Sequence, residues 1–134
     1  MKRFFDVKEK QGLKARKAAQ DEQLSKMVRL AYKTSPTVKR MFDAAKINPR
    51  NVKTREDLEG LPVTSREKLV EMELKRPPYA NLANPAIHVD RIFTSPGPVY
   101  EPHLSETDHL WARAFFAAGI GPADVALNTF SYHL

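Results

Sequence analysis

The residues from Arg91 to Pro102, "RIFTSPGPVYEP", have the make-up of a strand running into a loop. α/β proteins often hold phosphate at such a place, because free backbone N–H groups and hydroxyls can surround an anion there. The stretch offers the hydroxyls of Thr94 and Ser95 and one glycine, Gly97, but it is crowded with prolines. A working phosphate loop, a ruined one and a plain turn are all open at this point. The second candidate is "NTFSYHL", which puts Tyr132 and His133 at the C-terminal end of an expected parallel strand, the edge where such sheets bind ligands. Tyr132 can line a pocket or simply cover a sheet. His133 can offer a polar contact or a proton, but it has no visible acid partner. His88, His103 and His109 lack metal-type spacing with a carboxylate pair. Cysteine is absent, which excludes disulfides and thiolate metal sites. No metal site is expected.

These candidates need elements to position them. From about Lys14 to Lys33 there is neither Gly nor Pro, and Leu24, Met27, Val28 and Ala31 recur at helical spacing. Ser35-Pro36 ends that helix, and Val38, Met41, Phe42 and Ala45 give the apolar stripe of a second. "TREDLEGLP" reads as a single helical turn with Thr54 as its cap and Gly60 at its close. "TSREKLVEMELKR" reads as a further helix capped by Thr64 or Ser65 and ending before Pro77-Pro78. None of these helices is long enough to be stable alone. The second half changes character, with a strand over His88–Thr94, the loop, and then a helix after Ser105 and Asp108 in a capping-box arrangement. Leu110, Trp111, Ala114, Phe115 and Ala118 form the expected buried face of that helix. Asp124 reads as a turn residue, and Val125-Ala126-Leu127 as the entry to a second strand. Strand, loop, helix and strand make a βαβ unit. Two strands do not complete a parallel sheet, so the chain is expected to stop within a domain.

Bulk properties narrow the classes further. A chain of 134 residues supports one domain with a core. No apolar run approaches the roughly 20 residues that span a bilayer, and the charged N-terminus is no secretory signal. A cytoplasmic protein without a membrane partner is expected. The net charge of +6 raises nucleic acid as a partner. However, the basic residues up to Arg76 are mixed with acids and lack interleaved aromatics, so they read as solvated helix faces and nucleic acid is not expected. The rival reading from another class is a basic helical interaction module that binds nucleic acid or a protein without catalysis.

One resemblance covers nearly the whole chain. Residues Lys26 to Glu71 resemble the N-terminal stretch of phenylacetate–CoA ligases, in the adenylate-forming (acyl-CoA synthetase) superfamily. The matching residues are Arg29, Ala31, Tyr32, Pro36, Phe42 and Ala45, then Leu58, Leu61, Pro62, Val63, Thr64, Ser65, Arg66 and Leu69. "AAGIGPADVAL" is similar to the "G-(V/I)-x-P-G-D-V" passage that follows the phosphate loop in those enzymes. The loop itself aligns without a gap on the family's "R-I-H-A-S-S-G-T-T-G-K-P". Arg91, Ile92, Ser95, Gly97 and Pro102 are kept, while Pro96, Pro98, Val99, Tyr100 and Glu101 replace Ser, Thr, Thr, Gly and Lys. The prolines remove backbone donors, Tyr100 blocks the close approach that glycine allows, and Glu101 puts a negative charge where a positive one is expected. Thr94, Ser95, Gly97, Tyr100 and Glu101 thus mark a degenerate nucleotide phosphate loop.

The resemblance implies an α/β fold that is incomplete here: a helical segment over 1–87, then the start of the α/β core over 88–134. It implies a parent that activates an aryl or related carboxylic acid with ATP and Mg²⁺ and passes the acyl group to coenzyme A. It also places Tyr132 and His133 where an aromatic-rich strand end lines the acyl and nucleotide pocket. The parts that complete the adenine pocket, and the small C-terminal domain with its lysine, are implied to lie beyond Leu134. This chain alone is therefore not expected to adenylate or to bind those cofactors tightly. An unfinished sheet edge is expected to drive self-association or a homo-oligomer.

Overall fold

The structure is a computed structural model that describes residues 4–104 and 111–129. The uninterrupted run of good helix formers becomes α1, Leu13–Thr34. Ser35 serves two helices. Its N–H still bonds the Ala31 carbonyl at 2.8 Å, while its hydroxyl accepts from Val38 N at 3.1 Å and opens α2, Pro36–Ala44. Pro36 sits in the first turn, where the absent N–H is not missed. Part of each apolar stripe meets in a small core of Val28, Phe42 and Val52, flanked by Leu24, Tyr32, Val38, Ile47 and Leu61, while Met27 and Ala45, expected on those stripes, are exposed. The Tyr32 and Phe42 rings meet edge to face at 5.9 Å. At the rim, Asp43 accepts from Lys39 Nζ and from the Tyr32 hydroxyl, each at 2.7 Å. The Lys39 bond first, and the Tyr32 bond after it, hold the Asp43 carboxyl below its ordinary range.

"TREDLEGLP" forms a 3-10 helix over Glu56–Gly60, with the capping reversed from expectation. Asp57 reaches back and accepts from the backbone N–H groups of Lys53 at 2.9 Å and Thr54 at 2.8 Å. A carboxylate can take both donors at once, where a hydroxyl takes one more weakly. Ser65, of the two candidates, caps α3, Arg66–Lys75, by accepting from Lys68 N at 3.2 Å.

After α3 the chain passes through Ala80 and Asn81, both left-handed at φ +53° and +55°. Their carbonyls are captured by buried hydroxyls from the start of α2: Thr37 Oγ1 donates to Ala80 O at 2.5 Å and Ser35 Oγ to Asn81 O at 2.9 Å. Those bonds offset the cost of a conformation that alanine disfavours.

The sheet differs from the expected βαβ unit. β1, Arg91–Ser95, pairs antiparallel with β2, Val99–His103, in a hairpin closed by Pro96-Gly97-Pro98. Gly97 at φ +109° reverses the chain within three residues, and Val99 and Tyr100 favour a strand that the sequence reading had absorbed into the loop. Val125–Leu127 forms no strand, since no described strand pairs with it, and Val125 and Leu127 are exposed. The α/β class stands, as short helices with a small sheet.

α4, Ala112–Ala117, is present but turned. It meets the N-terminal segment through Phe116, 5.7 Å edge to face from Phe5, and through Arg113, which pairs with Asp6. Ser105, Asp108 and Leu110 lie outside the described residues, and on the described part of the expected buried face Trp111 is 71% and Phe115 51% exposed. Asp124 is the turn residue expected, accepting from Gly121 N at 2.6 Å.

Candidate functional site: a hairpin tip held by α3

Alternation along each strand decides where the candidate residues lie. In the register, Thr94 faces Tyr100, Ser95 faces Val99 and Phe93 faces Glu101. Thr94 and Tyr100 therefore share one face of the hairpin, while Ser95, Val99 and Glu101 share the other. The five loop candidates do not converge on a single cradle. Gly97 alone stands at the tip, between two prolines that have no N–H to give.

α3 supplies what the tip lacks. Arg66, its first residue, donates from Nη2 to Ser95 Oγ at 3.2 Å and to the Pro96 carbonyl. A Cβ built on Gly97 would lie 3.3 Å from both Nε and Nη2 of Arg66, so the glycine makes room for the guanidinium. Two helical turns further on, Glu73 accepts the backbone N–H of Tyr100 at 3.0 Å. Glu73 is 4% exposed, and Val99 beside it on β2 is buried. Residues seven apart fall on one helix face, so Arg66 and Glu73 grip the hairpin at its tip and along β2.

Neither residue stood out in the sequence as functional. Both lie in a charged helix whose other ions pair along its surface: Lys68 and Lys75 flank Glu71 at 2.9 and 2.5 Å and, Lys75 foremost, pull its carboxyl down to about 2. The available signal was an Arg and a Glu spaced by seven on one face.

Chemically, the tip is now rich in acceptors that meet a cation, the reverse of a backbone anion cradle. Phosphate donors at the tip include the Gly97 N–H, the hydroxyls of Thr94 and Ser95, and the Arg66 guanidinium. Tyr132 and His133 lie outside the described residues. Among the described residues no group of three or more His, Asp or Glu is arranged to hold a metal ion, and no helix is long and apolar enough to cross a membrane. A concavity of about 660 Å³, lined by Arg29, Tyr32, Asp43, Lys46 and Arg50 among others, belongs to α1, α2 and the turn after them and shares no residue with the hairpin.

No family model matches the chain. It is 28% identical over 126 residues to a phenylacetate-coenzyme A ligase of Thermus thermophilus, and 29% identical over 125 residues to that of Escherichia coli. These matches take in 88% and 87% of the chain, which spans only 27% and 28% of those relatives. Among solved structures it is similar to 2-hydroxyisobutyryl-CoA ligase in the postadenylation state with 2-HIB-AMP, at TM-score 0.74 and 23% identity, over 84% of the chain and 25% of that protein. An open conformation of the same ligase with 2-HIB-AMP and CoA matches at TM-score 0.73 and 23% identity, over 81% of the chain and 25% of that protein.

Proposed function

We infer that this chain, phenylacetate–CoA-ligase-like in sequence and matching part of the adenylate-forming ligase fold, supplies the N-terminal part of an acyl-CoA ligase. The ligase activates a carboxylic acid, aryl or related, with MgATP and transfers the acyl group to coenzyme A. Residues 1–87 serve as a helical lead-in, and the α/β core begins at residue 88. The observation that carries this reading is an identity of 28–29% spread over 87–88% of the chain. The adenylate and coenzyme A in the solved ligase support the cofactor assignment.

Within that function the hairpin tip is a modified phosphate loop whose backbone no longer cradles a polyphosphate. Proline at 96 and 98 and the grip of α3 on the tip support this. Adenylation is accordingly weakened. The exposed Trp111, Val125 and Leu127 support self-association of the isolated chain. The absence of cysteine and of a membrane-spanning helix among the described residues is compatible with a cytoplasmic setting.

The test is calorimetric ATP binding, and ATP-dependent acyl-CoA formation from aryl acids, by the full-length protein and by a Pro98→Thr/Tyr100→Gly/Glu101→Lys variant. Tighter ATP binding and faster turnover in the variant are expected. No gain would overturn the assignment of the loop. Binding to duplex DNA or RNA with a steep salt slope would instead favour the basic interaction module.

A further inference from the structure

We propose that Arg66 is the phosphate-binding group of the hairpin tip: α3 lends its guanidinium to a phosphate of the bound nucleotide where the loop backbone has lost its donors. The inference rests on the reading of residues 94–101 as the phosphate loop.

Donor supply makes the case. Of the three tip residues only Gly97 retains an N–H, and one amide does not hold a polyphosphate. A guanidinium carries five N–H donors in a planar fork that matches phosphate oxygens. The bonds Arg66 makes among the described residues, to Ser95 Oγ and the Pro96 carbonyl, both leave from Nη2. Among the described residues Nε and Nη1 make no bond, and the residue as a whole is exposed, so the guanidinium has donors left for a ligand at the tip. The two bonds in place fix the side chain against the loop before any ligand arrives, which lowers the entropy lost on binding.

Three further features agree. The glycine retained at the tip is the residue whose Cβ would press on Arg66 Nε and Nη2 at 3.3 Å. Arg66 opens a ten-residue helix, so the positive end of the α3 dipole lies at the same place as its charge. Arg66 is also one of the residues that match the family pattern, so the positive charge at the tip is kept while the one at position 101 gives way to Glu101.

The experiment is calorimetry of MgATP and of inorganic pyrophosphate with the full-length protein. The set comprises the unaltered protein, Arg66→Gln, Arg66→Lys, Glu73→Gln and the Pro98→Thr/Tyr100→Gly/Glu101→Lys variant with and without Arg66→Gln. Glu73→Gln loosens the hairpin without touching Arg66, so it separates ligand contact from hairpin order. The expected result is binding by the unaltered protein that falls about tenfold or more in Arg66→Gln, the worth of one charge-assisted hydrogen bond, with Arg66→Lys between them. Glu73→Gln should stay within about twofold, and the loop-restored variant should no longer depend on Arg66. An Arg66→Gln protein as tight as the unaltered one overturns the proposal, as do equal losses in Arg66→Gln and Glu73→Gln. Binding by the loop-restored variant but not by the unaltered protein overturns the role of Arg66 and leaves the loop assignment standing. Absence of binding in both overturns the loop assignment as well.

Discussion

Replacing Glu73 probes how the hairpin is held. Its carboxylate is almost fully buried and accepts the Tyr100 N–H at 3.0 Å. A hydrogen bond to a charged group contributes about 1.5–3 kcal/mol net, and a neutral one about half of that. Glu73→Gln keeps an acceptor of the same shape, and it also removes the desolvation cost of a buried charge. It should therefore raise the opening of the hairpin by about 1 kcal/mol or less, roughly fivefold in rate at most. Glu73→Ala leaves the Tyr100 N–H without its acceptor and opens a void beside Val99, for about 2–3 kcal/mol, or roughly 30- to 150-fold. The assay is amide hydrogen exchange at Tyr100 under conditions where exchange follows the opening equilibrium, with the Phe42 amide in the α1–α2 core as internal reference. Tyr100 should accelerate in the order Ala, Gln, unaltered protein, while Phe42 changes little. If Tyr100 exchanges in Glu73→Ala as slowly as in the unaltered protein, the carboxylate does not hold the strand and the argument fails.

Further perturbations reach the other parts of the fold. Gly97→Ala forces φ +109° on a residue with a side chain and pushes its Cβ against Arg66, so a loss of about 1–3 kcal/mol in a thermal melt is expected, together with a shifted Arg66 Nε–H resonance. Phe42→Ala removes the largest side chain of the buried cluster and should cost about 3–5 kcal/mol by circular dichroism melting, whereas Leu30→Ala, at a residue 56% exposed, should change little. Glu71 titrates in the folded chain at about 2, below its ordinary 4.5, so its contribution is present above pH 4.5 and is lost as pH falls from there through 2. Helicity of α3 should decline over that window, less so in 1 M salt and not in Glu71→Gln; a decline that is the same in Glu71→Gln would refute the assignment.

The parts legible in the sequence are those fixed by neighbours. The bounds of α1, a cap for α3 at Thr64 or Ser65, the stop at Ser35-Pro36 and the Asp124 turn each depend on residues within four positions of one another. The hairpin was not legible because a continuous loop alignment treats Val99 and Tyr100 as loop, whereas their pairing with Ser95 and Thr94 makes them strand. Arg66 and Glu73 were missed for a related reason: their partners lie 27 to 30 residues away, and helical charge patterns look the same whether a residue faces solvent or another element. The face of α4 was assigned to Trp111 and Phe115 by spacing, but the partner available is Phe5, which meets Phe116. Periodicity gives the stripes; it does not choose which stripe finds a surface.

The hydroxyl bonds of Ser35 and Thr37 to Asn81 and Ala80 tie distant parts of the chain together. They join residues 46 and 43 positions apart, against 11 for Tyr32 with Asp43 and 4 for Ser95 with Val99. Loop-closure entropy grows only as the logarithm of length, by about 0.6 kcal/mol per doubling, so distance alone weakens this tie little. What the tie contributes depends on burial: a hydroxyl and a carbonyl that have both left water must pair with each other, and Ser35 and Thr37 are 2% and 3% exposed. The left-handed Ala80-Asn81 turn is thus held from outside by the start of α2, so that a change at Ser35 or Thr37 is felt more than 40 residues along the chain.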